Sequence, residues 1–162
     1  MTKIVQMEHV RKQIRDQVII EDFTLEAQRG QVIALCGGNG SGKSTLLRML
    51  AGVSRPSAGD ISVCGIKWQD NRMEYARQIG YMPDDYRFST GLTALETIEF
   101  WAKLKGLSRQ RAKEVLSEVG LSDTGRKEVA SFSKGMRQRL LFAQAIIAQP
   151  PLLLLDEPTN GL

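Results

Sequence analysis

Apolar and polar positions along this 162-residue chain change rhythm twice. The first part runs in short apolar stretches bounded by glycine, proline or polar clusters, as strands do. Extended segments are expected near residues 4–7 and 18–27, with the polar run 11–16 as the hairpin loop between them. Gln31-Val32-Ile33-Ala34-Leu35-Cys36, apolar and bounded by Gly30 and Gly37, reads as a buried strand, and residues 45–51 as a helix stopped by Gly52. A turn cluster at 54–59 precedes a strand at 60–64, and a further strand at 77–82 is stopped by Pro83-Asp84-Asp85.

From there to about residue 148 the spacing is helical. Thr93-Ala94-Leu95-Glu96 spells a capping box, with Leu95, Ile98, Trp101, Ala102 and Leu104 expected on one face behind it. Ser108 caps a second helix whose apolar face is Ala112, Val115, Leu116 and Val119, closed by Gly120. A third helix is expected over 133–148, ending before Pro150-Pro151. Four leucines, 152–155, then form a buried strand tipped by Asp156 and Glu157. Strands first, a helical insert, then a strand ending in acids predict an α/β nucleotide-binding core with a mixed β-sheet. The core takes residues 1–83 and 137–162, and an inserted helical subdomain takes 84–136 of this single domain.

Composition narrows the class without naming a chemistry. With 42% hydrophobic and 25% charged residues the chain is ordinary for a globular protein. Net charge is only +4 and the basic residues are scattered, so no nucleic-acid partner is expected. No stretch approaches ~20 apolar residues, and no leader precedes the first strand, which points to a cytoplasmic protein. Two cysteines fit a reducing compartment, and Cys36 reads as a small core residue at the end of its strand. The single histidine, His9, cannot by itself build a metal cluster.

The chemistry lies in three short stretches. Gly37-Gly38-Asn39-Gly40-Ser41-Gly42-Lys43-Ser44-Thr45 fits a phosphate-binding loop between a strand and a helix. Its glycines let backbone N–H groups approach an anion, Lys43 adds a charge for the outer phosphates, and the Ser44 hydroxyl is a candidate Mg²⁺ ligand. Two acids ending an apolar strand are costly unless used. Asp156 can support Mg²⁺ through water, and Glu157 can orient or deprotonate an attacking water. The third stretch is Phe132-Ser133-Lys134-Gly135-Met136-Arg137-Gln138-Arg139, where Ser133 caps a helix and the helix start can grip an anion.

In order and spacing, these three stretches resemble the Walker A, signature and Walker B motifs of ATP-binding cassette (ABC) transporter ATPases. The resemblance covers nearly the whole chain and implies ATP and Mg²⁺ as ligands. It implies a second ATPase subunit arranged head to tail, and a membrane-spanning transporter subunit holding the pair at the inner face of the membrane. By the same resemblance Ser133 and Gly135 contact the γ-phosphate bound to the opposite subunit, and Glu157 is the catalytic base. Asp84 aligns with the family's γ-phosphate- and Mg²⁺-sensing glutamine, and Ile14 with its adenine-stacking aromatic, so base contact becomes apolar packing. Phe132, Lys134 and Met136 depart from the usual Leu-Ser-Gly-Gly-Gln. A weaker likeness is to exporter-type subunits and to the ATPase of nitrous oxide reductase maturation.

Other readings are a nucleic-acid or translation factor on the same fold, a small-molecule kinase or GTPase, and a regulator that binds nucleotide without hydrolysis. Only 90 residues separate Lys43 from Ser133, leaving no room for the long coiled coil of DNA-repair versions, and no Asn-Lys-x-Asp guanine motif is present. Neither a kinase nor a GTPase explains Ser133 and Gly135 ahead of the two acids. The chain stops at Leu162, before the family's next strand and its γ-phosphate-sensing histidine, so the resemblance reads it as a C-terminally incomplete cassette. The expectation is that the 162-residue polypeptide alone binds ATP poorly and hydrolyses it slowly or not at all. Turnover of the purified polypeptide at ordinary family rates would overturn that expectation.

Overall fold

The computed structural model describes residues 2–160; Gly161 and Leu162, part of the reading of the chain's end, lie outside them. The chain divides into two compact units, Met1–Ile79 and Gly80–Leu162.

The first unit is built on a long hairpin, β1 (Lys3–Ile14) and β2 (Gln17–Gln28). The strands run antiparallel, and Lys12, Gln13 and Ile14 pair with Ile20, Val18 and Gln17. The expected loop at 11–16 therefore shrinks to Arg15 and Asp16, with Arg15 in the left-handed region at φ 54°. Polar side chains do not end a strand whose backbone groups still find partners across the ladder. Strand β3 (Ala58–Val63) pairs with the other edge of β1, and the short β4 (Ile66–Lys67) extends it, giving the order β2-β1-β3-β4. Ile4, Val5, Met7 and Val10 of β1 are buried, as are Ile61 and Val63 of β3.

Two helices accompany this sheet, α1 (Lys43–Leu50) and α2 (Arg72–Arg77). Helix α1 buries Leu46, Met49 and Leu50. Its C-terminal carbonyls would otherwise lack partners. The fully buried Tyr75 of α2 meets one of them, donating its hydroxyl to the Leu50 carbonyl at 2.6 Å. Burial pushes the Tyr75 hydroxyl far above its usual pKa, so it remains a donor throughout the ordinary pH range.

The run 31–36 is not a strand. Residues 31–38 adopt no regular structure, Val32 is 99% exposed, and Cys36 is exposed rather than in a core. An apolar run becomes a strand only when a neighbour accepts its ladder bonds, and none does so among the described residues.

The second unit carries a two-stranded sheet of β5 (Ile79–Met82) and β6 (Leu152–Leu155). It also carries helices α3 (Ala94–Leu104), α4 (Arg109–Glu118) and α5 (Lys134–Ile146). Each begins at the expected cap. The Thr93 hydroxyl accepts from Glu96 N–H while the Glu96 carboxylate accepts from Thr93 N–H at 2.8 Å, closing the capping box. The Ser108 hydroxyl accepts from the Arg111 N–H, and that of Ser133 from the Met136 N–H. Ala94, Ile98, Ala112, Val115, Leu116, Phe132, Leu140 and Ala143 form one buried cluster among these helices. Arg111 Nε donates to the Ile147 carbonyl at 2.9 Å, tying α4 to the end of α5. Strand β6 is less buried than its four leucines suggest. Leu154 is 5% exposed but Leu153 is 37% exposed, because alternate side chains of a strand take opposite faces.

One close approach fixes β5 against α5. A Cβ at Gly80 would lie 2.0 Å from the Ala145 carbonyl oxygen and 2.8 Å from Pro150 Cγ. Gly80→Ala should therefore lower the thermal midpoint by several degrees, since forcing extra volume into packed contacts costs roughly 1–3 kcal/mol. A melting curve superimposable on the parent's would contradict this.

Candidate functional site

The phosphate loop belongs to the first unit and is shaped by its backbone. Gly40 and Gly42 sit at φ 78° and 94°, a region that residues with a Cβ rarely adopt. Gly42 is also crowded, since a Cβ there would stand 3.3 Å from Ile19 Cγ2, the Ile19 carbonyl and Ile20 Cγ1. The loop thus rests on strand β2 at this one glycine. It closes with Ser41 N–H donating to the Gly38 carbonyl at 3.2 Å, and Leu46 N–H to the Gly42 carbonyl at 2.9 Å.

Lys43 bends back over its own loop. Its ammonium donates to the carbonyls of Gly37 and Gly38 at 2.5 and 2.8 Å, and reaches Ser41 Oγ at 3.4 Å. Helix α1 starts at this lysine with Gly42 as N-cap and no side-chain capping bond. A cation and a helix N-terminus therefore meet at the loop, two features that favour an anion. Asn39, Ser44 and Thr45 lie in the same stretch.

Ile14 ends β1 at the tip of the hairpin whose second strand supports the loop, and it is 49% exposed. Val18, which the sequence reading passed over, is 37% exposed beside the same turn. These are the two large apolar side chains left exposed at the tip, and both can pack against a flat ring.

In the second unit, Ser133 and Gly135 occupy the start of α5, with the Ser133 hydroxyl serving as N-cap acceptor. Phe132 is 3% exposed in the helical core, so this departure from leucine is a packing substitution. Lys134 is exposed. Arg137 donates back to the Phe132 carbonyl at 2.5 Å, bracing the residue before the cap.

Asp156 and Glu157 follow β6 in contrasting settings. Asp156 is 6% exposed, and its N–H donates to the Met82 carbonyl at the end of β5. Glu157 is exposed and its backbone is left-handed, at φ 49°. Its carbonyl accepts the Asn160 N–H at 3.0 Å, forming a tight turn. Asp84, just past β5, is exposed and accepts a hydrogen bond from Asn160 Nδ2 at 3.0 Å. Asn160 had no sequence signal beyond its place in a turn, because its partner lies 76 residues away.

No group of three or more His, Cys, Asp or Glu able to hold a metal occurs among the described residues. Mg²⁺ is commonly bound by one or two protein oxygens together with phosphates and waters. The Ser44 hydroxyl and the buried Asp156 carboxylate are hard oxygen donors of that kind.

Residues 20–160 match the family model described as ABC transporter. The chain is 38% identical, over its whole length, to the uncharacterized ABC transporter ATP-binding protein YhcH of Bacillus subtilis (strain 168), covering 53% of that protein. It is 37% identical over its whole length to the bacitracin transport ATP-binding protein BcrA of Bacillus licheniformis, again covering 53%. The chain thus spans about half the length of the curated relatives it matches. Among solved structures it is similar to the dimeric bacterial ABC transporter cassette MJ0796, at TM-score 0.89 and 27% identity, covering 98% of this chain and 76% of that one. A dimeric post-hydrolysis state of the same cassette, bound to ADP and Pi, is similar at TM-score 0.88 and 27% identity over the same shares.

Proposed function

The chain belongs to the ABC transporter family, with the α/β phosphate-loop fold of its ATP-binding subunits, and from that premise we propose that it binds and hydrolyses ATP to drive a membrane transporter. The observation that carries the reading is the loop at 37–45, where the Lys43 ammonium is held over a glycine curl at the start of α1. The reading keeps the division into a nucleotide core, 1–83 and 137–162, and a helical subdomain, 84–136.

In this mechanism the loop N–H groups and Lys43 take the β- and γ-phosphates, and Ile14 packs against the base. Mg²⁺, when bound, neutralises phosphate charge, and Ser44 and Asp156 are the residues that would hold it, Asp156 through water, with Asp84 as a further ligand. Glu157 takes a proton from water as that water attacks the γ-phosphorus in line. The bond to the bridging oxygen breaks, leaving ADP and phosphate. Its exposure suits this role, since a base must reach water, while the buried Asp156 suits a supporting one.

Ser133 and Gly135 serve a second copy in the proposal, offering the start of α5 to the γ-phosphate bound by the opposite subunit. The dimeric state of the similar cassette MJ0796 supports that arrangement. The membrane partner is placed against the segment following β5. An open hollow of about 210 Å³ there is lined by Tyr86, Phe88, Val129 and Arg137 among others. In this reading the membrane-spanning part is a separate subunit at whose cytoplasmic face the chain sits; no helix among the described residues is long and apolar enough to cross a membrane.

Lys43→Ala should weaken ATP binding by roughly tenfold or more in an equilibrium titration, since a charge-assisted phosphate contact is lost. Unchanged affinity would remove the loop from the mechanism. Glu157→Gln should keep ATP affinity while abolishing turnover, and should trap a nucleotide-bound dimer when a competent partner subunit is supplied. Normal phosphate release by that variant would refute its assignment as base.

A further inference from the structure

Three segments of the second unit converge on Asn160. Its side-chain amide donates to Asp84 Oδ1 at 3.0 Å, just after β5. Its carbonyl accepts from Gln138 Nε2 at 3.0 Å, within the first turns of the helix that begins at Ser133. Its backbone N–H closes the turn on the Glu157 carbonyl, also at 3.0 Å. The first two bonds span 76 and 22 residues, so they join parts of the chain that local structure alone would leave independent, while the third is the local bond of the turn.

The turn they close is one that a glutamate does not adopt unaided. At φ 49° Glu157 lies in the left-handed region, which a side chain with a Cβ adopts only at a cost. Such a conformation persists when its surroundings over-determine it. On one side the Asp156 N–H is fixed to Met82. On the other the fixing passes through Asn160. A catalytic carboxylate is sensitive to such support, because a displacement of about 1 Å can cost on the order of a hundredfold in rate.

We propose that Asn160 is the positioning residue for Glu157, holding the turn that aims the base through its anchors on Asp84 and Gln138. This rests on the reading of Glu157 as the base of an ATPase. Its consequence is that the segment after β5 and the signature helix act on the base through one residue, the first on its side chain and the second on its backbone carbonyl. A shift of either anchor by more than about 1 Å breaks a hydrogen bond to Asn160.

The test breaks each of the two long-range bonds to Asn160 in turn. Asn160→Asp sets two carboxylates against each other and removes the donor. It should lower kcat about tenfold or more, consistent with loss of a hydrogen bond to a charged group, and leave KM for ATP within about twofold. Amide hydrogen exchange at 157–160 should quicken while the melting midpoint stays within a few degrees. Gln138→Glu removes the donor to the Asn160 carbonyl without touching a residue assigned to phosphate, Mg²⁺ or water, and should lower kcat about threefold or more and quicken the same exchange, with KM again within about twofold. A merely structural staple would quicken exchange in both variants without lowering kcat, and that outcome overturns the proposal. So does a parental kcat in Asn160→Asp. Turnover is read with a competent partner subunit supplied, and failure of the unsubstituted protein to bind ATP even then would instead sink the ATPase reading. Exchange at 157–160 without nucleotide then still judges the bridge, and unchanged exchange in Asn160→Asp refutes it.

Discussion

The second unit depends on the close approach of two backbones at Gly80. Only a residue without a Cβ lets β5 lie where the Ala145 carbonyl of α5 stands 2.0 Å from the missing atom. That approach sets the separation between the strand that leads to Asp84 and the helix that starts at Ser133. It therefore sets whether Asp84 and Gln138 can both reach Asn160, since a hydrogen bond tolerates only a few tenths of an ångström. The Asp156 N–H bond to Met82 extends the same constraint to β6 and its acids. Packing at one glycine thus bears on Asp84, on Gln138 and on the turn that carries the two acids.

The first unit is organised on a different principle. Its loop is anchored at Gly42, pressed against β2, while residues 31–38 that lead into it lack regular structure. Shape at the loop comes from left-handed glycines, from Lys43 folding over its own carbonyls, and from the contact with β2 at Gly42. The two units differ in how far their chemistry is held by long-range contacts.

That difference explains what could be read from the residues alone. Local devices were legible. The phosphate loop, the capping box at Thr93 and Glu96, the caps at Ser108 and Ser133, and the buried face of α4 each declare themselves within a few positions. The face of α3 is only half as expected: Ile98 and Ala102 are buried, but so are Ala94 and Thr97, while Leu95 and Trp101 are half-buried and Leu104 is exposed. Devices with a distant partner were not legible. The run 31–36 has the composition of a buried strand, but a strand exists only with a neighbour, and composition does not say whether one is present. The same limit runs the other way at 11–16, where polar residues stay in β1 because β2 pairs with them. Helix α2 is too short to show a period, and Asn160 carries no mark of its tie to Asp84.

The left-handed backbone of Glu157 has a further meaning for what this chain can become. Glycine or asparagine would relax that turn, and neither brings a carboxylate. In the role proposed for Glu157, selection for a more stable fold and selection for a working base point to different amino acids at this position. The left-handed residue of the turn is then the one the proposed chemistry cannot exchange, so improvement in stability has to come from elsewhere in the fold.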